Sequence, residues 1–183
     1  MERDPRSEYL VLRQTIASRG TVRPILTLCG IGVWGSLLVG VIALLPYPVA
    51  AAIPLLVLLV TFETIRPLHF GAERIGRYIQ VFHEEAGELN RSLGDTPSWE
   101  RVAMSFGSVP GVGGHPLFVP LFLLATAVNY LAVLLPRPVA IELTVMAVPH
   151  VAFIGWLVAA DRAVRNQRAI ELARMRQLRD TRP

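Results

Sequence analysis

The sequence predicts an all-α, polytopic integral membrane protein: four transmembrane helices, arranged as two in-out-in hairpins with an amphipathic cytoplasmic helical segment between them. Three observations predict it. Four apolar runs approach bilayer length, a repeated Pro-x-Pro turn joins them in pairs, and the basic residues avoid the side on which those turns lie.

The turn is the organising motif. Leu44-Leu45-Pro46-Tyr47-Pro48-Val49-Ala50 reappears as Leu134-Leu135-Pro136-Arg137-Pro138-Val139-Ala140, 90 positions later and identical at six of seven residues. Proline fixes φ, lacks an N–H and biases the preceding residue toward extended backbone. Pro46 and Pro136 are therefore expected to end one helix, with Tyr47 and Arg137 held extended between prolines. Pro48 and Pro138 are expected in the first turn of the next helix, where the missing N–H costs nothing. Duplication and convergent turn chemistry both fit the repeat.

Of 183 residues, 52% are hydrophobic. Ile25–Leu45 is an uncharged stretch of about 31 Å at 1.5 Å per residue, and Val49–Ile65, with Glu63 near its end, is about 25 Å. Pro116–Leu135 gives about 30 Å, and Val139–Ala160, interrupted by Glu142 and His150, about 33 Å. A soluble bundle of buried helices is the alternative, and the paired turns and matched lengths argue against it.

All 18 basic residues are arginine. Five lie in residues 1–24, five in 66–115 and seven in 161–183; only Arg137 lies in a turn. By the positive-inside rule both termini and the central segment are cytoplasmic, in a bacterial-type inner membrane. The net charge of +4 needs no nucleic acid, since each arginine near an anionic leaflet contributes about 1 kcal/mol. Cys29 is the only cysteine, so neither a disulfide nor a thiolate metal site is expected. Ile25–Leu45 lacks the short apolar core and small-residue cleavage site of a secretion signal and reads as a retained anchor.

The chain thus divides into a cytoplasmic arm (1–24), hairpin 1 (25–65), a cytoplasmic helical segment with a Gly-rich loop (66–115), hairpin 2 (116–160) and an Arg-rich helical tail (161–183). In the arm, Tyr9, Leu10, Leu12 and Ile16 predict a short amphipathic helix capped by Ser7. In the first span, Gly32, Ser36 and Gly40 recur every fourth residue, a smooth stripe that lets another helix approach closely. Its partner is either this chain's own hairpin or another subunit.

The central segment shows a helical apolar stripe at Ala72, Ile75, Ile79, Phe82, Ala86 and Leu89, with Glu73, Arg74 and Arg77 expected on a solvated side. A second short helix is expected from Thr96-Pro97 to Gly107. The loop at 107–114 lacks the GK[ST] of a phosphate-binding loop. After Ala160 the last helix is expected to continue, because Asp161 to Arg179 contains neither Gly nor Pro.

The histidines are the candidate metal ligands. His69 and Glu73 are one helical turn apart, whereas His83 lies about 15 Å further along the axis, too far for one metal. A solvated face is the simpler reading, with His115 a conceivable third ligand. A haem bundle needs two facing intramembrane histidines, and His150 has no such partner. No metal and no cofactor is therefore expected.

Ionisable or amide groups inside lipid are costly and point to a pathway or a partner. Counted from Arg137, Asn129 lies about 12 Å deep, Glu142 about 8 Å and His150 about 20 Å. The spacing predicts an Asn129–Glu142 hydrogen bond and a polar track through all three. Against this stands a structural reading: Glu142 at a helix start, His150 satisfying a carbonyl freed by Pro149, and Asn129 bonding a neighbouring helix.

No nucleophile–base pattern, dinucleotide fingerprint, kinase signature or zincin motif is present. The expectation is a non-enzymatic membrane subunit, partnered by lipid and by other subunits or its own copies. The alternative is a small homo-oligomeric channel or proton- or ion-coupled transporter using Asn129, Glu142 and His150. A lipid-headgroup enzyme with His69, Glu73 and His83 is a third class.

Overall fold

The computed structural model describes residues 5–45, 47–84 and 117–181. Within them the chain is all-helical: α1 (Pro5–Leu44), a 3-10 turn (Pro48–Ala51), α2 (Ala52–Ile79) running into a π-helical turn (Gln80–Glu84), α3 (Val119–Leu134) and α4 (Ala140–Asp180). Three helices, α1, α2 with its flanking turns, and α4, are long and apolar enough to cross a membrane. The fourth, α3, has 16 residues, about 24 Å, shorter than its apolar run predicts. Phe118 ahead of it adopts left-handed backbone (φ 53°), which starts the helix only at Val119. The expected second cytoplasmic helix, the Gly-rich loop, Pro116 and His115 lie outside the described residues.

Helices run through positions where the sequence suggests breaks. α1 contains Pro24 and continues into the expected separate arm; α2 passes Pro67, and α4 passes Pro149. An interior proline forfeits one hydrogen bond and crowds the carbonyl four residues back. In α1 that residue is Gly20, which puts no side chain beside the ring. The hydroxyls of the apolar stretches are satisfied within their own helices: Thr27 on Arg23, Ser36 on Gly32, Thr61 on Val57 and Thr126 on Phe122, all carbonyls. Self-bonded hydroxyls carry little polarity into an apolar medium.

The two turns differ despite their shared sequence. Tyr47 is extended (φ −115°, ψ 128°) and Pro48 opens the next helical turn, as expected. Arg137 is not extended: its φ is 56°, and its N–H bonds to the Leu134 carbonyl. Pro138 correspondingly precedes α4, which begins at Ala140, instead of sitting in its first turn.

The chain forms two compact units. The first comprises Arg23–Pro67 and Leu117–Ala163. Its core holds Leu58, Phe62, Phe122, Val133 and Leu157, with Phe62 meeting Phe122 edge-on at 5.4 Å and Phe153 at 6.3 Å. α3 packs against the Pro48–Ala51 turn. The outside of this unit is apolar too, with Leu28, Leu44, Ile141 and Val151 each more than 60% exposed. A water-soluble surface rarely gathers aliphatics in this way. The second unit comprises Met1–Val22, Leu68–Pro116 and Val164–Pro183.

Candidate functional site

The apolar unit encloses one polar knot. Asn129 is fully buried on α3 and His150 is 3% exposed on α4. The Asn129 Nδ2 group donates to the Ala51 carbonyl (2.9 Å) and lies 3.0 Å from His150 Nε2. Trp34 Nε1 on α1 donates to Asn129 Oδ1 (3.2 Å). His150 Nδ1 is 2.7 Å from the Met146 carbonyl. That carbonyl accepts only if Nδ1 carries the proton, so Nε2 is the acceptor for Asn129. Tyr130 stacks edge-on against the His150 ring at 5.0 Å. Four elements are thus tied through one amide.

Glu142 is not part of the knot. It is exposed at the start of α4, and the Val139 N–H donates to its Oε2 at 3.0 Å. This is the reciprocal half of a capping box, a glutamate at the third helical position serving the N-cap N–H. The expected Asn129–Glu142 bond is therefore replaced by Asn129–His150. Depths counted from Arg137 fail because the connection is asymmetric. Asn129 lies about 7 Å inside the end of α3 and His150 about 15 Å inside the start of α4, yet they touch. Residues 135–139 must climb the difference. His150 also bonds the carbonyl of Met146, not that of Val145, which Pro149 releases.

α1 presents two faces to consider. Thr27, Leu38 and Val41 are buried, and Gly30 lies against the Thr61 side chain of α2, where any Cβ would collide. On the opposite side, Gly32 and Ser36 are exposed and Gly40 half-buried. A Cβ built at Gly32 or Gly40 meets nothing among the described residues within 4 Å. The predicted stripe is thus not the one that packs this chain's own hairpin. The signal for the packing face is Thr27, Gly30 and Trp34, polar, small or aromatic residues at helical spacing in an aliphatic run.

In the other unit, Arg77, expected in solvent, is 2% exposed. Its guanidinium donates to Glu73 (2.9 Å) and to Glu171 of α4 (2.6 Å), and Arg74 also reaches Glu171 (3.0 Å). Burial disfavours the Glu171 charge, but hydrogen bonds from Arg74, Gln167 and Arg77, with the Arg77 charge, outweigh it and hold the carboxyl below its usual range. His69 is buried with Nε2 3.4 Å from Glu73, and His83 is buried between the rings of Tyr9 (5.7 Å) and Tyr78 (5.8 Å). Neither lies on a solvated face. Among the described residues no group of three or more His, Cys, Asp or Glu side chains is placed to hold a metal ion.

Fold and site together define an all-α protein with three helices suited to a membrane and a closed polar knot among them. No protein-family model, curated protein or solved structure matches the chain.

Proposed function

We propose that the chain is a non-enzymatic subunit that packs in, or scaffolds, a larger assembly of a bacterial-type inner membrane. It crosses that membrane as two in-out-in hairpins with both termini cytoplasmic, α3 completing the second hairpin by tilting little or thinning the bilayer locally. The observation that carries the reading is the stripe of Gly32, Ser36 and Gly40, where Gly32 and Ser36 are exposed and no described residue packs against either glycine. Within lipid, helices associate through close packing of small residues. This chain uses Gly30 for its own hairpin and leaves the second stripe for a neighbour, which is another subunit or a second copy.

Extraction in mild detergent tests this. The wild-type chain is expected to elute as an assembly heavier than one chain. Gly32→Leu should release it as a folded monomer, since among the described residues nothing stands within 4 Å of a Cβ at that site. A wild-type chain that elutes alone from native membranes would overturn the proposal.

The transporter reading draws its support from the buried Asn129–His150 contact alone, since Glu142 stands apart from it. It requires that proton or ion flux in liposomes fall on His150→Ala.

A further inference from the structure

A second feature of the apolar unit lies along the seam between α2 and α4. Ala52, Leu55, Leu56 and Leu59 of α2 face Pro149 and Phe153 of α4 across an open apolar groove of about 190 Å³. The same helical faces continue, at i+4 and i+7 from Leu59 and at i+3 from Phe153, to Glu63, Arg66 and Trp156. There the chemistry changes. The Arg66 guanidinium lies over the Trp156 ring (5.0 Å to the centroid) and donates through Nη2 to Glu63 (2.8 Å). Trp156 Nε1 donates to the other Glu63 oxygen. The three side chains are each about one-third to two-fifths exposed. The remaining Arg66 N–H groups have no acceptor among the described residues, and its Nε is buried without one.

We propose that this seam binds a zwitterionic aminophospholipid of the phosphatidylethanolamine type, one acyl chain in the groove, its phosphate on Arg66 and its ammonium on Glu63. A groove lined by aliphatic and aromatic side chains accepts a hydrocarbon chain and offers nothing to a polar ligand. At the groove's end stand one cation with unused donors and one carboxylate whose side chain is 36% exposed. Guanidinium is suited to phosphate oxygens and stacks on indole at the same time. A carboxylate beside it complements a primary ammonium through charge-assisted hydrogen bonds and disfavours a headgroup that carries only negative charge. The indole bond to Glu63 holds that carboxylate in place, which lowers the cost of ordering it on binding. Arg66 and Glu63 close the apolar run of α2, where a headgroup region begins, and Trp156 is the residue type enriched at that level. The inference rests on α2 and α4 crossing a bilayer, not on the assembly proposed above.

The test is native mass spectrometry of the full chain in mild detergent, with phosphatidylethanolamine, phosphatidylcholine and phosphatidylglycerol added at equal concentration. Wild type is expected to retain phosphatidylethanolamine about tenfold over phosphatidylglycerol, a difference set by one charge contact. Arg66→Gln should lose retention of phosphatidylethanolamine, and Glu63→Gln should bring the two lipids to near-equal retention because the phosphate contact survives. Leu56→Trp fills the groove from its lipid-facing side and should weaken retention of every lipid with helicity unchanged, which keeps the test open should either charge variant fail to fold. Equal retention of the three lipids by wild type, or a preference for phosphatidylglycerol, would overturn the site. So would wild-type retention in a folded Arg66→Gln chain. Failure of the bilayer reading has a different signature: a chain that stays dissolved without detergent.

Discussion

Asn129 makes three hydrogen bonds to three other elements, so its removal orphans more than its own contacts. Replaced by leucine of similar size, it leaves the Trp34 N–H, the Ala51 carbonyl and the His150 Nε2 without their partner. An unsatisfied buried group costs roughly 1–3 kcal/mol, so the three orphaned by Asn129→Leu should destabilise the chain by at least about 3 kcal/mol. His150→Phe leaves only one amide hydrogen and the Met146 carbonyl short of that ring, and should cost about half as much. Thermal unfolding of both variants in one detergent checks the order; a reversed order would mean that the imidazole, not the amide, is the tie. At this scale the sequence told that Asn129 and His150 are exceptional, since both are polar residues in apolar runs. It did not tell that they meet. Their contact depends on how far residues 135–139 climb, and there Arg137 takes a left-handed backbone (φ 56°) that no residue preference announces.

Elements were legible where composition dominates and obscure where packing does. Three long apolar helices, the first turn's Tyr47-Pro48 and the uninterrupted tail of α4 were readable, because each follows from local hydropathy or from a missing N–H, whereas the second turn, of nearly the same sequence, was not. The continuity of α1 and α2 through Pro24 and Pro67 was not, since one lost hydrogen bond is outweighed by the helix on both sides. Nor was the burial of Arg77, whose helical face reads as solvated until the acidic residue of a distant segment, Glu171, is set opposite it. That pairing has a pH signature. Because the folded-state pKa of Glu171 lies below its unfolded value, the folded chain binds that proton less tightly. Its stabilising contribution is therefore complete above the unfolded carboxylate pKa and is lost as pH falls through the lower, folded one. The melting temperature in detergent should fall on acidification from pH 5 to pH 3, roughly the window where carboxylates titrate. Glu171→Gln should lower the melting temperature at neutral pH, by leaving buried Arg77 with Glu73 alone, and flatten that acid dependence. An unchanged acid slope would show that other carboxylates govern it.

For the molecule as a whole the decisive quantity is where its charges stop. Seventeen of the 18 arginines lie outside the two proline turns, in 1–24, 66–115 and 161–183, and the apolar helices between them expose aliphatic side chains that the other described residues do not cover. Moving those arginine-rich segments through a bilayer would cost far more than moving the turns, which hold one arginine between them. The proposed orientation follows from that difference, and it is testable without any knowledge of partners. In a Cys29→Ser background, single cysteines at Tyr47 and Arg137 replace exposed residues in the two turns, whereas cysteines at Arg74 and Arg174 replace exposed residues of the charged segments. A membrane-impermeant maleimide added to intact cells should label the turn positions and leave the other two unlabelled until the membrane is opened. The reverse pattern would invert the topology. Labelling at Tyr47 but not at Arg137 would mean that α3, the short helix, does not cross, and that the chain spans the membrane three times, in which case the terminus after α4 would lie opposite the one before α1.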